Sequence, residues 1–339
     1  MSTKHFTANV ISATKVVPDG TFTNSAASGV WTLDEHYDLV RGGNWPNAAN
    51  VLRALFMGGE PSHSNYTDSV DQLEMGSTGN ATDFGDLVAA KNQGGACSSS
   101  SRALYAGGSS GGSGTNVIQY FTIATAGNAT DFGDLAAASY QIMSLSNSTR
   151  GIFGGGDEGS ASNRIQYVTI ASTGNTTDFG DLTVTKTLGA TAASSTRGVF
   201  YGGDTEVIDY ITIASTGNAT DFGNASITNN RVFGSSNSTT GVFAGAAQTD
   251  GTIYKITIAS TGNDASFGGN LSDARINGCS TSSPTRGFFG SGMNNSDVRT
   301  NTIDFITYSS AGNAQDFGDL SGAKGLDVEA TSSAHGGIS

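Results

Sequence analysis

The residues best suited to chemistry in this 339-residue chain are the acids of a recurring Asp-Phe-Gly triplet. It occurs at Asp83, Asp131, Asp178, Asp221 and Asp316, and a sixth copy, Ser266-Phe-Gly, has lost its acid. In phosphoryl-transfer sites such an Asp holds a metal ion, but a Gly-rich phosphate loop and a catalytic loop must accompany it. Neither is present, and repetition of one triplet along a chain points to a structural element rather than one active centre. The surrounding acids and amides, such as Asn128, Asp131 and Asp134 or Asn175, Asp178 and Asp181, are hard oxygen donors of the kind calcium takes. Their spacing is not that of a calcium-binding loop, and Asn and Asp side chains also bond backbone N–H groups in turns. The expectation is turn capping, with no metal site.

The other reactive types are sparse. His5, His36, His63 and His335 show no ligand spacing, so no transition-metal site is expected. The two cysteines, Cys97 and Cys279, lie far apart without a C-x-x-C pairing and are expected to be free thiols. No serine sits in a nucleophile elbow. Triplets such as Asn128-Ala-Thr130 and Asn218-Ala-Thr220 have the form of glycosylation acceptors, but no signal peptide precedes them and they are read as turns. No catalytic residue and no cofactor is expected, and no unit of the repeat is expected to break pattern in a way that announces one.

What these residues share is a cassette, clearest from Val207 to Phe222. Its phenylalanines are Phe84, Phe132, Phe179, Phe222, Phe267 and Phe317, at steps of 48, 47, 43, 45 and 50 residues. A period of that length with strand-like content means a repeat architecture. Each unit holds a small polar strand such as 189–194 and an apolar strand ending in glycines, as in Arg197 to Gly203. A third strand such as Val207 to Ile213 follows, then a hairpin and loop around Thr-Gly-Asn and Asp-Phe-Gly. The paired glycines, Gly58-Gly59, Gly107-Gly108 and Gly202-Gly203 among them, suit a sharp bend at the strand end. Thr-Gly-Asn supplies residues that tolerate positive φ in tight turns. Arg53, Arg102, Arg150, Arg197 and Arg286 recur just before or at the apolar strand. They are expected to pair with recurrent Asp residues or with the backbone of an adjacent unit.

Composition fits short strands and many turns: 48 Gly, 4 Pro, 36% hydrophobic and 13% charged residues. Length alone suggests about two domains, but a ring of repeats holds the same length in one body. The net charge of −13 argues against nucleic acid, because phosphate backbones would be repelled. No apolar run reaches the ~20 residues of a membrane span.

Residues 1–44 stand apart and carry Trp31 and Tyr37, with Trp45 at the boundary. The segment reads as an extended arm whose aromatics dock on a partner or cover an end of the repeat body. Residues 45–339 hold six repeats of about 43–50 residues. The expected fold is all-β: a six-bladed β-propeller with an N-terminal extended arm, closed by a C-terminal strand near Thr331, a seventh blade built partly from the N-terminus being the alternative.

The order of small strand, apolar strand, double glycine and tyrosine-bearing strand resembles the kelch repeat. Gly202-Gly203 and Tyr210 match its double glycine and tyrosine, as do Tyr120 and Tyr167; the kelch tryptophan is absent and Phe222 and its equivalents stand near its place. The resemblance implies four-stranded blades around a channel. The arm Ser28-Gly-Val-Trp-Thr-Leu-Asp-Glu-His-Tyr37, with Asn44-Trp45-Pro46 and the Gly/Ser/Thr/Asn-rich repeats, is similar to virion structural and tail-appendage proteins of marine bacteriophages, cyanophages especially. That resemblance implies a non-enzymatic virion protein, made in the host cytoplasm. Its arm would join other virion proteins, several copies would sit on a particle, and its blades would contribute to host attachment through a surface glycan. The alternatives are a cellular kelch-like scaffold and, behind it, a propeller glycan hydrolase or lyase.

Overall fold

The computed structural model describes residues 52–228, 231–245, 247–322 and 324–338. The arm and its candidate docking residues Trp31, Tyr37 and Trp45 lie outside the described residues, as does the expected boundary at residue 45. The described chain contains no helix. It forms six four-stranded antiparallel sheets, with one further two-stranded ribbon, Arg275–Ile276 with Met293–Asn294.

Blade 4 shows the pattern. Its inner strand is Ala190–Ala193, followed by Arg197–Tyr201, Val207–Thr212 and an outer strand, Thr220–Asn224. Small residues on the inner strand let six strands converge on one axis. The second strand is buried from Gly198 to Tyr201, because neighbouring blades cover both of its faces. Asp-Phe-Gly, expected in a loop, instead lies in the outer strand of five blades, and Ser266-Phe-Gly in that of blade 5. The register jumps there: Ile208 faces Gly223 but Asp209 faces Asp221, so Phe222 is the extra residue of a β-bulge. The bulge turns the ring inward, which the strand's otherwise polar composition disguises.

Six apolar cores fill the six gaps between blades, and each contains one of the recurring phenylalanines. Phe84 lies between blades 1 and 2, Phe132 between 2 and 3, and Phe179 between 3 and 4. Phe222, Phe267 and Phe317 fill the remaining three. The last core joins blade 6 to blade 1. The ring closes out of sequence order, through hydrogen bonds: Glu329–Ser332, near the C-terminus, pairs with Arg53–Met57 and becomes the inner strand of blade 1. Closure therefore follows the expectation, and the described residues form six blades. The residues after Ser332, expected to continue the strand, leave the sheet.

The cassette explains how the blades are joined. In the Thr-Gly-Asn loop the Asn does not cap its own turn. Its Oδ1 accepts the backbone N–H of the residue after Asp-Phe-Gly in the preceding blade: Asn128 from Asp86, Asn175 from Asp134, Asn218 from Asp181, at 3.0–3.1 Å. Asn80 accepts from Asp319 and carries the same tie across the closure. The Asp-Phe-Gly glycine is needed because the next blade's loop lies against it. A Cβ on Gly85 would stand 2.3 Å from the Gly127 oxygen, and one on Gly318 2.3 Å from the Gly79 oxygen.

The recurrent arginines form a second set of ties. Arg53, Arg102, Arg150 and Arg197 each donate to a carbonyl of the following blade, Ile123, Ile170, Ile213 and Ile258, at 2.6–3.1 Å. The Arg197 guanidinium lies 4.4 Å from the Tyr210 ring centre, and that ring packs edge-on against Phe222. Blades 2 and 3 repeat this stack with Tyr120 and Tyr167, and blade 6 with Phe305 under Arg286. Pairing with the adjacent backbone, not with Asp, is the role the structure gives Arg53, Arg102, Arg150 and Arg197. The paired glycines all take positive φ, for example +65° and +120° at Gly58 and Gly59, +64° and +88° at Gly107 and Gly108, and +68° and +84° at Gly202 and Gly203.

Candidate functional site

Because inner strands run in the same direction through all six blades, the two faces of the ring differ. One face carries the Thr-Gly-Asn loops, the arginines and the point where the described chain begins at Leu52. The other carries the loops after the second strand, which differ between blades: 109–114, 157–163, 204–206 and 294–300 share no sequence. Among the described residues the large hydrophobics left exposed are Val88 and Val298, the latter within the 294–300 loop, and the loop face is otherwise polar.

A channel runs between the inner strands. On the Thr-Gly-Asn face it is plugged. His335 Nε2 lies 3.0 Å from both the Ser98 carbonyl and the Ser146 hydroxyl, and the Gly336 N–H donates to the Ser236 carbonyl at 3.0 Å. Glycines are required where the tail crosses: a Cβ on Gly337 would fall 1.8 Å from the Ser146 oxygen. Burial pushes the His335 pKa down to about 4, against a weaker upward pull from the Ser98 carbonyl. Serine hydroxyls bind the wall, with Ser98 donating to the Ser332 carbonyl and Ser146 to the Ser98 carbonyl at 2.6 and 2.8 Å.

The loop-face end stays open and is framed by a ring. Gln93, Gln141, Leu188, Arg231, Asn277 and Asp327, one per blade, all take positive φ, from +52° to +79°. Each backbone N–H donates to the carbonyl of its predecessor, with Gln93 donating back to Asp327 to close the circle, at 2.6–3.4 Å. Six non-glycine residues in the left-handed region are costly, and the belt of hydrogen bonds over-determines them. Below the ring lies a cavity of ≈ 100 Å³, large enough for several waters. Ala96, Ser144, Thr191, Gly234, Ser280 and Ala330 divide it from a smaller chamber of ≈ 60 Å³ above the plug.

Two acids line this cavity at the entrance to the inner strand of blade 1. Asp327, 7% exposed, accepts from Gln93 Nε2 at 3.0 Å. Burial raises its pKa to about 7; Gln93 and Asn277 bonds and the Arg231 charge pull it down, and Glu60 pushes it up. Glu329 lies two residues on. Burial, and then the Asp327 charge, raise its pKa well above the carboxylate range. Among the described residues no hydrogen bond or ion pair reaches its carboxylate. Protein surrounds it, yet the open cavity touches its surface. Asn277 is also 7% exposed, and its Oδ1 has no hydrogen-bond partner.

Most candidates raised by motif reading are used structurally. The acidic loops do not converge, and their Asn oxygens are engaged between blades. Among the described residues no group of three or more His, Cys, Asp or Glu side chains could hold a metal. Cys97 and Cys279 are free, buried and in different blades; burial raises both thiols, Cys279 to about 12. His63 is exposed beside Glu60, and His335 is the plug. His5 and His36 lie outside the described residues. Buried ion pairs went unforeseen: Lys186–Asp209, Arg275–Asp304 and Lys324–Asp71, at 3.7, 2.9 and 3.4 Å, each tie the segment entering a blade to its third strand.

Motif reading also missed the channel acids. A signal was present: Leu326-Asp-Val-Glu-Ala330 places acids where Thr187-Leu-Gly-Ala-Thr191 has none. The expectation that no unit breaks pattern is corrected at this point. The departure was hidden because the last inner strand belongs to the first blade.

The ring, its channel and its joints define the class: a six-bladed β-propeller, with an architecture consistent with a kelch-like propeller. No protein-family model and no curated protein matches the sequence.

Proposed function

We propose that the chain is a non-enzymatic attachment module carried on a bacteriophage particle, with its arm anchoring it to other virion proteins and its loop face turned to a host-surface glycan. The observation that carries the binding role is the division of labour between faces. Every element of the repeated cassette is engaged in joining blades, while the loops free of that duty differ from blade to blade and gather on one polar face. A polar surface with almost no exposed large hydrophobics suits hydrogen bonding to sugar hydroxyls better than docking of an apolar protein patch. The virion setting rests on the similarity of the arm and of the Gly/Ser/Thr/Asn-rich repeats to phage appendage proteins.

The test is a glycan array probed with the full chain and with a variant whose 109–114 and 157–162 loops are replaced by Gly-Ser linkers. Binding by the native chain and its loss in the loop variant, with unchanged melting, is the expected result. Binding unaffected by both replacements would overturn the loop-face assignment. Release of a shortened glycan would instead favour a propeller hydrolase or lyase.

A further inference from the structure

We propose that the channel mouth is a binding site for one hard divalent cation, of the calcium type, held by Asp327, Glu329 and the Asn277 amide oxygen and keeping part of its hydration shell. The proposal is independent of the attachment role.

Three observations carry it. Asp327 and Glu329, two residues apart where the chain enters the inner strand of blade 1, line the same cavity, and Glu329 has no partner of its own among the described residues. An uncompensated buried carboxylate is costly, and proteins rarely keep one without a counter-charge. Asn277, nine-tenths buried, lines the same cavity; its amide supports Asp327 while Oδ1 stays unsatisfied. A buried polar atom without a partner calls for an explanation, and an ion is one. The cavity is also blind. The tail plug closes the far end, so an ion enters and leaves only through the loop-face ring.

The donor set selects the ligand. Carboxylate and amide oxygens suit hard cations, and calcium accepts an irregular oxygen shell completed by water. The volume exceeds what a bare ion needs and leaves room for that water. A divalent charge balances both acids. The charged and titratable groups facing this pair are Glu60 and Arg231, which act on Asp327, and Cys279 and Tyr105, whose own ionisation Glu329 opposes. Arg231 is exposed at the rim, where solvent screens it.

The experiment is calorimetric titration of the metal-free full chain with CaCl2, MgCl2 and MnCl2, with melting curves on each variant. One ion per chain is expected. Glu329→Gln and Asp327→Asn should each weaken binding at least tenfold while leaving the fold intact, since each removes a buried charge. Asn277→Ala should weaken it less. Asp178→Asn, in an outer Asp-Phe-Gly strand, should bind as the native chain does. Absence of binding by all three metals at millimolar concentration would overturn the proposal. So would native-like binding by the doubly substituted Asp327→Asn, Glu329→Gln chain, or loss of binding in Asp178→Asn.

Discussion

Replacing Gly180 by Ala tests the joint between blades 3 and 4, and Gly217→Ala provides the control. Both glycines take positive φ, +142° and +153°, so an alanine at either pays a backbone strain of about 1–3 kcal/mol. They differ in what a side chain meets. At Gly180 the new Cβ would stand 2.5 Å from the carbonyl carbon and oxygen of Gly217 and 2.8 Å from the Asn218 nitrogen. These are backbone atoms of the next blade and cannot swing aside. At Gly217 nothing lies within 4 Å. Forcing a methyl into a filled contact costs roughly 1–3 kcal/mol beyond the strain. Gly180→Ala should therefore be the less stable variant by about that difference. With a urea m-value of about 3 kcal/mol/M, its midpoint should fall about 0.3–1 M below that of Gly217→Ala. Equal midpoints in urea titrations followed by circular dichroism would refute the reasoning, because backbone strain alone would then account for both.

Three further outcomes follow from the same geometry. Asn218→Ala removes the acceptor for the Asp181 N–H and should cost about 1 kcal/mol in the same urea titration. For His335 the folded pKa lies below the ordinary 6.5, so the stability linked to its neutral ring is full above pH 6.5 and is lost as pH falls through 6.5 towards 4. That loss, up to about 3 kcal/mol, should be largely absent in His335→Gln when melting is followed from pH 7 to pH 4. Asp327 has the opposite sign. Its raised folded pKa means the folded chain holds a proton that the unfolded chain has released, so stability falls as pH rises from about 4 to about 7. In metal-free buffer Asp327→Asn should flatten that decline, and an unchanged slope would contradict the assignment.

Much of the fold was legible because its joints repeat. Six phenylalanines at near-constant steps marked six blades, and the recurrent glycines and tyrosines gave the strand order. The outer strand was not legible as a strand. Its Thr-Asp-Phe-Gly-Asp residues resemble a turn, and only the bulge opposite Asp209 shows why a lone Phe there is buried. The roles of Asn218 and its equivalents were hidden for a related reason: their partners lie in the preceding blade, some forty residues earlier, beyond any local pattern. The channel site was least legible. Asp327, Glu329 and Asn277 come from the entrances to two blades, and Arg231 and Gln93 from two more. What unites them is the closure of Glu329–Ser332 onto Arg53–Met57, a contact between the two ends of the repeat array.

Electron cryomicroscopy of phage particles purified from cells that produce this chain tests the functional account most directly. The account predicts a six-bladed ring on the particle surface, its plugged Thr-Gly-Asn face towards the particle and its variable loops pointing outward. A particle that lacks the chain, or one in which the loop face is buried against a neighbour and the plugged face is free, would contradict it.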